Sequence, residues 1–146
     1  MNADDTVLDH LTGPIIGSAM TVSNALGAGF LEKVYENALA HELRKAGLAV
    51  AQQRGVTVMY DEIIVGDNAV DLLVEQLVIV ELKAIRAVAN IHRAQCINYL
   101  RAPGLQVCLL LNFGNPRLEI RRIPGLRRGR QCWACGALVL SACIGG

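Results

Sequence analysis

Residues 70–83 constrain this chain more than any other stretch. They read VDLLV, then EQ, then LVIVELK. Two apolar, β-branched runs around a short polar break predict a β-hairpin. Asp71, Glu81 and Lys83 are charged groups inside it, and charges are expensive to bury unless they are paired or bind a metal. Glu81 and Lys83 are two apart and share one face of a strand. A two-residue turn at Glu75 and Gln76 pairs Asp71 with Val80 and sends its side chain to the opposite face. A three-residue loop over 75–77 pairs Asp71 with Glu81 and aims all three charges the same way. The expectation is the three-residue loop, or a bulge with the same effect. Two adjacent carboxylates repel and need a cation. A small set of hard oxygen ligands suits Mg²⁺, which keeps several waters and meets phosphate oxygens. The neighbouring ammonium of Lys83 can orient or deprotonate a water and stabilise charge on a phosphate. A bare D…ExK pattern is equally compatible with an edge hairpin carrying a structural Asp–Lys ion pair.

The rest of the composition sets bounds. A chain of 146 residues suits one domain with a sizeable core. Aromatics are 4% against 53% hydrophobic residues, so aliphatic side chains and alanine carry that core. The net charge of +1 gives no bulk electrostatic signal for or against nucleic acid. The first residues are polar and acidic, unlike a secretory signal. No apolar run approaches the ~20 residues of a membrane helix. Five cysteines is an odd count, and Cys96 and Cys108 fall in predicted core elements. That pattern predicts reduced thiols and a cytoplasmic setting.

Taken in order, the chain first predicts a helix capped by Thr12, with Pro14 in its first turn, running to about Ala25. Leu11, Ile15, Ala19, Val22 and Leu26 form its apolar stripe. A second helix follows the Gly27–Gly29 break, from near Leu31 to Gly47, with Val34, Ala38 and Leu43 as its core stripe. Glu32 and Tyr35 lie one turn apart near its start. Taken singly, Glu32 reads as a carboxylate at the positive end of a helix dipole and Tyr35 as a packing residue. Short strands are expected over 49–53, 56–60 and 63–65, with a turn at Gly66-Asp67-Asn68. After the hairpin, a helix capped by Asn90 runs to about Arg101. Its His92, Gln95 and Tyr99 fall on one polar face. Residues 106–112 read as a buried strand and 118–123 as an outer one. Beyond Pro124, an arginine run (Arg127, Arg128, Arg130) and Cys132, Cys135 and Cys143 form a tail read as poorly ordered or loosely packed. Its cysteines do not complete a zinc site.

With these residues in place, a resemblance becomes visible. Gly29, Glu32 and Tyr35 spell GxxExxY, followed by DLLV, VIVELK, Gln95…Tyr99 and LLLNFG. Over 8–123 the chain resembles the GxxExxY family of the PD-(D/E)XK nuclease-like superfamily. The resemblance implies an α/β fold with an αβββαβ core, restriction-endonuclease-like, whose central mixed sheet is flanked by helices. It implies Asp71 and Glu81 as metal-binding carboxylates, Lys83 as the catalytic lysine, and Glu32 as the additional glutamate of RecB-like members. Gln95 and Tyr99 match the QxxxY motif of that subgroup. Family members commonly carry an arginine shortly before the aspartate, where this chain has Ala69.

The function this implies is a nuclease dependent on Mg²⁺ or Mn²⁺ that hydrolyses phosphodiester bonds in nucleic acid, DNA in preference to RNA. The alternative is a catalytically inactive protein of the same fold that binds nucleic acid or another protein. No membrane partner is expected, and a homodimer or a partner subunit is left open.

Overall fold

The computed structural model describes residues 3–101, 105–125 and 138–141. The element order is α1 (Ala3–Leu26), α2 (Glu32–Lys45), β1 (Val50–Tyr60), β2 (Ile63–Val74), β3 (Val78–Lys83), α3 (Asn90–Tyr99), β4 (Val107–Asn112), β5 (Glu119–Pro124) and β6 (Leu138–Ser141). One sheet runs β5-β4-β3-β2-β1-β6. It is mixed: β3 with β4 and β1 with β6 are parallel, and the other neighbours are antiparallel. This is the α/β architecture expected from the sequence, with the αβββαβ core running from α2 to β4.

The two faces of the sheet are covered differently. Leu72, Val74, Val78, Val80, Leu82, Leu109 and Leu111 pack under α1 and α2. Leu73, Ile79, Cys108 and Leu110 pack under α3 with Cys96, Tyr99 and Leu100. β3 and β4 are therefore buried on both sides, which explains their unbroken apolar runs. α3 supplies the crossover that two adjacent parallel strands require.

Local signals in the sequence were overridden in several places. The first helix begins at Ala3, not at Thr12, and passes through Pro14. Pro14 removes one helical hydrogen bond, yet Pro14 and His10 both face solvent. Buried Leu8 carries the apolar stripe upstream, and Asp9 pairs with Arg122 at 2.9 Å. Thr12 is no cap, and its hydroxyl donates back to the Asp9 carbonyl. In α2 the buried stripe is Tyr35, Glu36, Leu39, Ala40 and Leu43, while Val34 is exposed. The short strands predicted over 49–65 are one long antiparallel pair turning at Asp61 and Glu62, and Gly66, Asp67 and Asn68 lie inside β2. Ladder pairing with β1 outweighs the turn preference of those three residues. Asn90 opens α3, but Ala89 precedes it as the capping position, and its N–H donates to His92 Nδ1 at 2.9 Å. His92 is thus a local cap. Four tail residues form β6 against β1. The arginine run, Cys132, Cys135 and Cys143 lie outside the described residues.

The segment leaving β3 is held by a buried amide. Asn112 is fully buried at the end of β4. Its Oδ1 accepts from Ile85 N and Gly114 N at 3.0 Å each, and its Nδ2 donates to Ile85 O at 2.9 Å and Glu119 Oε1 at 3.2 Å. Phe113 N donates to Lys83 O at 2.8 Å. Gly114 leaves no room for a Cβ, which would collide with the Ile85 backbone. These contacts fix the chain immediately after Lys83. Asn112→Ala leaves backbone groups of Ile85 and Gly114 without partners, and the expected loss is about 2–4 kcal/mol of unfolding free energy in urea titration. A loss within error of zero would show that water replaces the amide.

Candidate active site

The hairpin register predicted from loop length is the observed one. Val74 pairs with Val78 and Leu72 with Val80, leaving 75–77 as the loop. Glu75 and Gln76 both adopt left-handed φ, 52° and 58°, and Leu77 N returns to Val74 O at 3.0 Å. That is the primed turn whose twist matches paired strands, with Leu77 as an extra residue. The register carries on to place Asp71 opposite Glu81. There the backbone ladder stops and side chains replace it. Asp71 N donates to Glu81 Oε1 at 3.0 Å, and Leu82 N donates to Asp71 Oδ2 at 2.9 Å.

Burial makes this pair electrostatically strained. Glu81 is 4% exposed. Desolvation, then repulsion from Asp71, raises its pKa from 4.5 to about 8, with Lys83 acting weakly in the other direction. Asp71 is also raised, chiefly by desolvation and against the hydrogen bonds from Leu82 and Gln53. The edge-hairpin alternative does not hold: β2 and β3 lie inside the sheet, and among the described residues Lys83 makes no ion pair with Asp71. Lys83 is half-buried, and its charge partly offsets the rise at Glu81.

A cleft of about 490 Å³ opens on the Asp71 side, between Glu32, Lys33 and Glu36 of α2 and Gln53, Asp71 and Ala84, with Phe30 and Leu31 at its lip. Gly29 turns the chain into α2 at a φ of 114°, open only to glycine. Fully buried Tyr35 clasps this turn: its hydroxyl donates to Gly27 O at 2.6 Å and accepts from Phe30 N at 3.2 Å, and its ring stacks on Phe113 at 4.7 Å. Tyr35 therefore sets where Glu32 stands. Glu32 is exposed in the cleft and close enough to raise the Asp71 pKa.

Gln95 and Tyr99 stand on the other face. Gln95 Nε2 donates to the Tyr99 hydroxyl at 3.0 Å. Buried Tyr99 has a raised pKa, from desolvation first and the Glu81 charge second. The structure thus joins Asp71 to Glu81, sets Lys83 within electrostatic reach of Glu81, brings Glu32 within reach of Asp71 from the α2 side and Tyr99 within reach of Glu81 from the α3 side, and ties in Gln95 through Tyr99. Among the described residues no three His, Cys, Asp or Glu side chains form a ready-made metal cluster. The donor set still fits a hard divalent cation, which takes one or two carboxylates and completes its shell with water and phosphate oxygens.

Sequence reading missed Gln53 and Glu36. Gln53 Nε2 donates to Asp71 Oδ1 at 3.2 Å and also to Glu36 Oε1. Nothing in the sequence marks Gln53, and Glu36 was hidden by placing the α2 stripe on Val34 and Ala38.

The raised pKa of Glu81 fixes a sign for the pH dependence of stability. Between pH 4.5 and about 8 the folded protein holds a proton that the unfolded chain has released. Stability of the metal-free protein therefore falls as pH rises through that window. Urea midpoints followed across it should decline in wild type and decline less in Glu81→Gln, whose side chain can still accept the Asp71 N–H. Parallel profiles would remove Glu81 as the source.

Among the described residues no helix is long and apolar enough to cross a membrane. No curated protein and no solved structure matches the chain. The profile of the PD-(D/E)XK nuclease superfamily matches residues 9–123, from α1 through β5, covering the hairpin, both flanking helices and every site residue named above. The chain belongs to the PD-(D/E)XK nuclease superfamily.

Proposed function

We propose that this protein is a divalent-metal-dependent nuclease of the GxxExxY type, with a RecB-like site, hydrolysing phosphodiester bonds in nucleic acid, and that DNA is its preferred substrate. The observation that carries the reading is the Asp71–Glu81 pair. A buried Glu81 and a half-buried Asp71 face each other with raised pKa values, beside a lysine whose ammonium makes no hydrogen bond or ion pair with a described residue. A perturbed pair with one member lining a cleft is the arrangement that functional sites build and stable cores avoid.

Each residue takes a role. Asp71 and Glu81 hold Mg²⁺ or Mn²⁺, with Glu32 assisting from the cleft wall. The cation supplies Lewis-acid stabilisation of charge on the scissile phosphate. Lys83 Nζ orients or activates the attacking water and meets a phosphate oxygen. Tyr99, fixed by Gln95, borders Glu81 and limits water access from the α3 side.

The test pairs binding with turnover. Calorimetric titration of Mn²⁺, with and without DNA or RNA, should show saturable binding in wild type that Glu81→Ala loses. Cleavage of labelled DNA and RNA should fall by about 10²–10⁴-fold in Lys83→Ala, the range for losing a positioned acid–base group, while its Mn²⁺ binding persists. Equal cleavage by wild type, Asp71→Ala, Glu81→Ala and Lys83→Ala would end the nuclease reading. Metal-independent nucleic-acid binding without turnover would favour a non-catalytic module on the same fold.

A further inference from the structure

Gln53 is the anomalous residue of β1. Its φ of 53° is left-handed, a conformation that side chains other than glycine adopt at a cost. Gln52 pairs with Leu72 and Arg54 with Val70, but Gln53 and Asp71 between them are not paired. The sheet faces also change there. Val70 and Leu73 are an odd number apart yet pack in the same layer, and so are Ala51 and Val56. Both strands turn over at this one point without losing register. Strain of this kind persists only where its surroundings hold it in place.

What holds it is a pair of carboxylates. An amide nitrogen carries two hydrogens. Gln53 Nε2 gives one to Asp71 Oδ1 and the other to Glu36 Oε1. Both partners only accept, so the nitrogen end of the amide must face them. Glu36 is 3% exposed, and its Oε2 accepts from Lys33 Nζ at 2.7 Å and Gln52 Nε2 at 2.8 Å. Every Glu36 oxygen is committed to a donor, which makes it an anchor. Glu32, exposed in the cleft, has no such ties among the described residues.

We propose that Gln53 is a positioning residue that aims the Asp71 carboxylate, with Glu36 as its anchor. The proposal rests on the reading that Asp71 holds the cation. Asp71 Oδ2 is fixed by Leu82 N and Oδ1 by Gln53. With both oxygens tethered, the carboxylate cannot rotate away from Glu81, the motion that mutual repulsion favours. Glutamine suits this place uniquely among near-isosteres: glutamate would set three carboxylates against one another, and methionine offers no hydrogen.

The decisive variant is Gln53→Gly. Glycine accepts the left-handed φ, so the backbone loses strain while the amide is removed. Three readouts are taken on the full chain: melting temperature, the metal-free crystal structure, and Mn²⁺ affinity with and without DNA beside wild type and Asp71→Ala. The expected result is a folded protein with a cooperative melting transition, an Asp71 carboxylate turned from its wild-type position, and Mn²⁺ affinity weakened about tenfold or more, as when an outer support of a metal ligand is lost. An unmoved Asp71 overturns the proposal whatever the metal data show. So does wild-type Mn²⁺ affinity in Gln53→Gly where Asp71→Ala has lost binding, and in that case the nuclease reading stands. Absence of Mn²⁺ binding by wild type, or equal binding by Asp71→Ala, overturns both together. If Gln53→Gly does not fold, Gln53→Met removes the donors at similar size, and the same criteria apply.

Discussion

The structure turns on an exchange between two strands. At Asp71 and Glu81, each strand gives a backbone N–H to the carboxylate of the other. An amide left without an acceptor at this depth costs about 1–3 kcal/mol, so the two acids complete the ladder as well as forming the site. Yet Glu81 is buried with half-buried Asp71 beside it, and both are harder to ionise for it. The same two groups are needed by the sheet as hydrogen-bond acceptors and opposed by it as charges. A cation between them satisfies the charges without disturbing the backbone bonds, because each carboxylate has acceptor capacity beyond the N–H it receives.

Other elements make sense as supports of this point. β4 buries β3 from one side of the hairpin and ends in Asn112, whose amide fixes the chain as it leaves Lys83. Tyr35 locks the turn into α2 and is itself stacked on Phe113, the residue after Asn112. The lysine side and the Glu32 side of the site therefore share one packed unit, Tyr35 on Phe113. α3 closes the other face with Tyr99 and Cys96. The side chains of the candidate site sit on strands and helices, which hold geometry more tightly than loops do.

How legible all this was depended on whether the determining physics is local. The period of two along a strand and the parity of a loop are local, so the Asp71–Glu81 register could be derived from 70–83 alone. The burial of β4 could be read from its unbroken aliphatic run, whereas the interior place of β3 in the sheet could not. Turn preference at Gly66, Asp67 and Asn68 is also local, but a ladder partner many residues away decided that stretch. The α2 stripe reads one residue off, Val34 and Ala38 in place of Tyr35 and Leu39, because a charged Glu36 argues for a surface face. Tyr35 is buried with both hydroxyl bonds made, and Glu36 with donors on both oxygens. Gln53 left no trace at all, since a left-handed glutamine inside a strand is imposed by its two carboxylate partners and has no composition of its own.

This division bears on what the site is for. A protein that used the fold only as a scaffold could fill the Asp71 and Glu81 positions with amides, keep acceptors for both backbone N–H groups, and lose the repulsion. Instead the chain places two acids there, tethers one through Gln53 to buried Glu36, and leaves the Lys83 ammonium without a hydrogen bond or ion pair among the described residues, two residues from Glu81. The paired acids work against stability, and Gln53, Glu36 and Lys83 gather around that same point of the hairpin. Local conflicts that concentrate at a single place mark a site under functional demand, where scattered ones would mark poor packing. That concentration argues for chemistry at the hairpin more strongly than any one residue there.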